Sequence, residues 1–154
     1  MDNLIEKIFN GVFVNNLTNK IAIKTKDDEI TYSNLANLVA STAEFLKRKK
    51  LKKNDIILNA LGNTIQQIIV HYASFLIGII AIPVPSYINR NDANFYIESF
   101  HPALIFSNSE WVNLSSNLKN NLSVKVESNT EDNIHLNFNL EGFFGLFFFG
   151  FWFL

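Results

Sequence analysis

No cysteine occurs in the 154 residues, which excludes disulfide frameworks and thiolate chemistry and fits a reducing compartment. Excess charge of either sign is lacking too. Thirteen Lys and Arg against fourteen Asp and Glu leave −1 at pH 7, so no general field recruits nucleic acid. The three histidines, His71, His101 and His135, are too far apart for metal-ligand spacing, and no metal site is expected. There is no glycine-rich nucleotide fingerprint, no Gly-x-Ser-x-Gly elbow and no internal repeat. The N-terminal Met1-Asp2-Asn3-Leu4-Ile5-Glu6-Lys7 mixes charges and lacks the basic-then-apolar order of a secretion signal, which makes a cytoplasmic location the default expectation. A membrane span is also missing. The apolar stretch from Ile68 to Val84 is broken by His71, Tyr72, Ser74 and Gly78 and closed by Pro83, short of the roughly 20 residues a span needs.

What remains is the composition of a globular protein, 48% hydrophobic and 18% charged, with room for one domain or one incomplete lobe of a larger one. Leu4, Ile5, Ile8, Phe9 and Val12 recur at helical spacing and predict a short amphipathic helix over Leu4 to Phe13. Ile21 to Lys24 and Glu29 to Thr31 flank a polar turn and read as a hairpin. Thr31 can cap the next helix, whose apolar face is Leu35, Leu38, Val39, Thr42, Phe45 and Leu46. Lys47-Arg48-Lys49-Lys50 complements the negative end of that helix dipole, and the whole cluster to Lys53 reads first as a solvated helix end and loop, with a nucleic-acid or acidic-membrane patch as the less favoured alternative.

The period then changes. Ile56 to Leu61 is a nearly continuous apolar run, as in a strand covered on both faces. Ile65 to Leu76 returns to helical spacing, with Gly78 where a C-terminal cap belongs and Asn63 as the expected N-cap. Ile79 to Ile82 reads as another buried strand. A third helix through Tyr96, Ile97 and Phe100 would be capped by Asn91 or Asp92 and stopped by Pro102, and Ala103 to Phe106 would be the next strand. Ser107 and Ser109 read as loop residues. This alternation predicts an α/β fold, a layered and mostly parallel sheet with a βαβαβ core and right-handed crossovers. Further on, Trp111 to Asn121 predicts a helix, Val124 to Val126 a short strand, and Ile134, Leu136, Phe138 and Leu140 a half-buried strand.

Three segments carry a family resemblance. Thr31-Tyr32-Ser33-Asn34-Leu35 resembles the Thr-Tyr-x-Glu-Leu segment of AMP-dependent synthetases and ligases, the acyl-adenylate-forming superfamily of acyl-CoA synthetases, peptide-synthetase adenylation domains and luciferases. Lys53-Asn54-Asp55-Ile56-Ile57 resembles the Gly-Asp-x-Val that opens their next strand. Leu61-Gly62-Asn63-Thr64, then Gly78-Ile79-Ile80-Ala81-Ile82-Pro83-Val84, resembles their Pro-Asn-Ser helix start and Gly-Ala-x-x-x-Pro turn. Asn34 stands where the family has Glu and leaves the capping box half-made. Asn54 stands where the family prefers Gly and is the next-best residue for a left-handed backbone.

The resemblance implies an incomplete N-terminal lobe over residues 1–141. The parent reaction would join a carboxylic acid to ATP with Mg²⁺, release pyrophosphate, and pass the acyl group to a thiol such as coenzyme A. In the family, a Ser/Thr/Gly-rich loop ending in Pro-Lys-Gly holds the phosphates and should follow a strand like Ile134 to Leu140. Instead comes Glu141-Gly142-Phe143-Phe144-Gly145, with no Ser, Thr, Lys or Arg through Leu154. The expectation is therefore a truncated ligase without activity of its own, with no catalytic, cofactor-binding or metal-binding residue carried over. Seven of the last twelve residues, Phe143 to Leu154, are Phe. This tail, residues 142–154, is expected to stand outside the fold as the product of a shifted reading frame or a premature end. A weak interfacial membrane contact through it is the alternative, although it lacks a cationic face. That alternative makes the chain a non-catalytic interaction protein, with the α/β lobe as scaffold. An incomplete sheet would expose unpaired edges and apolar surface, so poor solubility is expected.

Overall fold

A computed structural model describes residues 4–26, 28–107, 123–127 and 137–138. In chain order the elements are α1 (Leu4–Val14), β1 (Ile21–Lys24), β2 (Glu29–Thr31), α2 (Tyr32–Arg48), β3 (Ile56–Ala60), α3 (Ile65–Ile77), β4 (Ile80–Pro83), α4 (Arg90–Phe100), β5 (Leu104–Ser107), β6 (Ser123–Glu127) and β7 (Asn137–Phe138). The expected helix over Trp111 to Asn121 lies outside the described residues, as does most of the expected strand over Ile134 to Leu140.

The hairpin forms as the sequence predicts, β1 antiparallel to β2, with Lys24 ion-paired to Glu29 across it. Thr31 ends β2 and opens α2. Its Oγ1 accepts a bond from the Asn34 amide at 3.2 Å, satisfying one donor of the first turn. α2 ends with Lys50 in the left-handed region at φ 62, the Leu51 amide donating to Leu46 O and the Lys50 amide to Lys47 O. α3 ends on the same motif with Gly78 at φ 77, where the Ile79 amide donates to Ser74 O. Gly suits that left-handed position, where a Cβ would also crowd Lys53 Cγ at 3.0 Å.

The main sheet has the order β4-β3-β5-β6-β7. β3 pairs in parallel with both β4 and β5, and β5 in parallel with β6, while β7 runs antiparallel to β6. β3 is thus a central strand, and Ile57, Leu58, Asn59 and Ala60 are fully buried. Successive side chains take opposite faces. Ile57, Leu104 and Phe106 meet α2 and α3 through Phe45, Leu46, Ile69 and Ala73, with Phe45 edge-on to Phe106 at 6.4 Å between ring centroids. Leu58, Ala60 and Ile105 meet α4 through Ala93, Tyr96, Ile97 and Phe100. Hydroxyls buried in this packing are satisfied within their own helices, Thr42 Oγ1 donating to Leu38 O and Ser74 Oγ to Val70 O.

Three expectations are corrected. β4 is not covered on both faces like β3; among the described strands it is an edge, with Ile80 46% exposed. An apolar run reports hydrophobicity but not which strand lands outermost. The N-cap of α4 is Asn89, not Asn91 or Asp92, because its Oδ1 accepts the Asp92 amide at 2.9 Å and the two later residues already lie in the first turn. β5 runs one residue further than Ala103 to Phe106 suggested, taking in Ser107.

The contrast between centre and edge gives a prediction for urea unfolding at constant m-value. Phe106→Ala should cost about 3–5 kcal/mol, while Ile80→Ala at the half-exposed edge should cost less than about 1.5 kcal/mol. Equal losses would contradict the central place of the β3–β5 pair.

Candidate functional site

The chain leaves β3 through α3 to reach β4 on one side, then crosses back through α4 to β5 on the other side of β3 and continues outward to β6. The direction of winding therefore reverses between β3 and β5. In open α/β sheets a crevice forms outside the carboxyl ends of the strands at such a reversal, and ligands bind there.

The carboxyl end of β3 carries Asn59 and the loop Leu61-Gly62-Asn63-Thr64; the carboxyl end of β5 carries Ser107, paired in register with Ala60. The loop is tightly made. The Thr64 amide donates to Gly62 O at 2.9 Å, and Thr64 Oγ1 donates to Leu61 O while accepting the Gln67 amide, each at 3.2 Å. Thr64, not the exposed Asn63, therefore caps α3. The capping oxygen has to come from the residue whose own backbone is extended, and Thr64 has φ −123 and ψ 160. Gly62 sits at φ 67, and a Cβ on it would lie 2.9 Å from Ser86 Oγ. The loop after β3 and the loop after β4 thus touch where only glycine leaves room.

Asn59 is the most informative residue. It is fully buried beneath α3, and its Nδ2 lies 3.1 Å from Gln67 O and 2.8 Å from His71 Nδ1. His71 Nδ1 is also 2.9 Å from Gln67 O, so Asn59 Nδ2, His71 Nδ1 and Gln67 O meet in one buried cluster whose proton placement follows the His71 tautomer. Among the described residues, Asn59 Oδ1 and Ser107 Oγ are buried without a hydrogen-bond partner. Adjacent side chains alternate faces, which places Asn59 on the α3 side of the sheet and Ser107 on the α4 side. An orphaned buried polar atom costs about 1–3 kcal/mol, so two at one end of a central strand pair mark that end as more than packing.

Chemically the crevice offers hydroxyls, a carboxamide and backbone groups, with no carboxylate and no cation among Asn59, Leu61 to Thr64, Ser86 and Ser107. Among the described residues no group of His, Asp and Glu could hold a metal ion. This donor set does not fit Mg²⁺ or a triphosphate, which need carboxylate and cationic or amide-rich partners respectively.

The AMP-binding enzyme family matches residues 12–139. The chain belongs to the AMP-binding enzyme family. Its fold is shared with solved ligases at low identity. A benzoate CoA ligase from Burkholderia xenovorans LB400 matches with TM-score 0.68 and 14% identity over 75% of this chain and 23% of that one. The anthranilate CoA ligase AuaEII, solved with anthranoyl-AMP, matches with TM-score 0.68 and 16% identity over 79% of this chain and 23% of that one. Coronafacic acid ligase from Pectobacterium brasiliense gives 0.66 and 20% over 75% and 23%. No sequence among curated proteins matches this one. The chain spans about a quarter of the length of these ligases, 23% in each case.

Each segment of the family resemblance takes a structural place. Thr31 caps α2, Asn54 adopts φ 70 just before β3, and Gly62 and Gly78 hold the loop after β3 and the end of α3. The residues that sequence reasoning missed are Asn59, hidden inside an apolar run, and Ser107, taken for a loop residue. A lone carboxamide in a strand of Ile, Leu and Ala was the available signal.

Two substitutions separate geometry from desolvation at the crevice. Gly62→Ala should lower stability by about 1–2 kcal/mol through its left-handed backbone, and more where Ser86 cannot yield. Ser107→Ala, which deletes an unpaired hydroxyl, should leave the urea midpoint unchanged or raise it. A clear loss on Ser107→Ala would mean that the hydroxyl is satisfied in solution.

Proposed function

We propose that the chain is the N-terminal lobe of an adenylate-forming ligase and contributes scaffold rather than phosphate-gripping groups. In the parent reaction a carboxylate attacks the α-phosphorus of ATP, pyrophosphate leaves, and the acyl group of the adenylate then passes to a thiol such as that of coenzyme A. The observation that carries this reading is the family match over 12–139, on a sheet whose winding reverses between β3 and β5. The acid substrate would be fixed by segments that have no counterpart here.

By this reading the chain does not form an adenylate unaided. Charge on a transferring phosphoryl group is stabilised by preorganised cations and amide donors. From Glu131 to Leu154 the sequence holds no Ser, Thr, Lys or Arg. Phe side chains in their place can neither donate a hydrogen bond nor neutralise charge.

ATP–pyrophosphate exchange with a mixed panel of carboxylic acids tests the proposal. The 154-residue chain should show only background exchange at every acid. Exchange that depends on both acid and Mg²⁺ would overturn it.

A further inference from the structure

The cationic cluster between α2 and β3 is absorbed neither by the crevice nor by the family reading. Lys47, Arg48, Lys49, Lys50, Lys52 and Lys53 fall within seven residues, and all six are exposed. The acids beside them are Glu44 and Asp55, so six cations face two carboxylates. Lys47 bonds Glu44 at 2.8 Å, and this bond together with its charge holds the Glu44 carboxyl below its ordinary range. The other five cations make no ion pair among the described residues.

The segment presenting them is built, not loose. The Lys50 amide donates to Lys47 O at 2.8 Å, the Lys52 amide to Asp55 Oδ2 at 2.6 Å, and the Asn54 amide to Gly78 O at 2.9 Å. The last of these fastens the cationic turn to the loop between α3 and β4, where Lys53 packs against Gly78. Beside that junction Phe75, in the last turn of α3 and edge-on to His71, is 50% exposed; Ile80 at the start of β4 is 46% exposed on the other face of the sheet. All of this lies at the amino ends of β3 and β4, opposite the crevice and roughly 16 Å from it along a five-residue strand.

We infer that this end of the lobe docks on an anionic phospholipid surface, Lys49, Lys50, Lys52 and Lys53 meeting head-group phosphates and carboxylates while Phe75 enters the interfacial zone. Clustered Lys and Arg bind acidic membranes through local charge, over a Debye length of roughly 8–10 Å, so the overall charge of −1 does not cancel the patch. An exposed Phe75 beside the lysines suits the head-group zone of a bilayer better than the backbone of a nucleic-acid duplex, whose phosphate contacts come from polar and basic groups. Docked at its amino end, the sheet would hold the carboxyl-end crevice away from the membrane.

Vesicle flotation of the whole chain tests this, comparing phosphatidylcholine alone with phosphatidylcholine containing phosphatidylserine. The chain should float with the anionic vesicles and be released by salt. Lys50→Gln with Lys52→Gln should weaken partitioning by about 25-fold, near fivefold per cation. Removing equal charge from the hairpin region, Lys20→Gln with Lys26→Gln, should change it far less. Equal flotation on both vesicle types would overturn the inference and point to the Phe-rich tail. So would equal loss in the two double variants, or tighter binding to duplex DNA than to anionic vesicles. Should the patch variant not fold, salt release of the native chain still decides: binding indifferent to salt refutes it.

Discussion

The burial of β3 on both faces is the constraint from which the rest follows. A parallel strand cannot be joined to its neighbour by a tight turn, so each pairing of β3 requires a crossover helix. Helices lie on both faces, α2 and α3 on one side and α4 on the other, and the strand has to be apolar in both directions. Asn59 is the exception to that rule. It is accommodated because α3 presents Gln67 O and His71 Nδ1 directly above it. The same crossovers set the reversal of winding between β3 and β5, and so fix where the sheet can offer a crevice.

Much of this was legible in the residues. The capping hydroxyl of Thr31, the stripe from Leu35 to Leu46 and the left-handed Gly78 each follow from local chemistry that needs no tertiary information. Asn54 is the sharpest instance: the family pattern asks for glycine, the sequence supplies the residue that best tolerates a left-handed backbone, and φ is 70. The errors have a common cause. Asn63 against Thr64, and Asn91 against Asn89, are competitions between neighbouring cap formers, decided by which backbone is extended where the chain leaves the sheet. The edge position of β4 and the burial of Ser107 depend on strand order, which an apolar run does not encode.

The two ends of the sheet differ in chemistry. Among the described residues the loop after β3 is uncharged, close-packed at Gly62 and Ser86, and lies beside two unsatisfied polar atoms, Asn59 Oδ1 and Ser107 Oγ; the turn at the amino end is cationic and tied down by backbone bonds. Membership of the AMP-binding enzyme family accounts for the first as part of a shared fold. Adenylation belongs to the proposal, and it demands cations and a metal-binding carboxylate that the crevice residues named above do not provide. A scaffold with its ligand-gripping groups elsewhere is consistent with strands chosen for packing and loops chosen for turning.

Amide hydrogen exchange on the whole chain, with and without MgATP, tests the account most directly. Amides of Ile57 to Asn59, with Ile105 and Phe106, should exchange most slowly, those of β4 faster, and MgATP should change none of them. Protection that spreads over the loop from Leu61 to Thr64 when MgATP is added, or a β3 that exchanges as fast as β4, would contradict it.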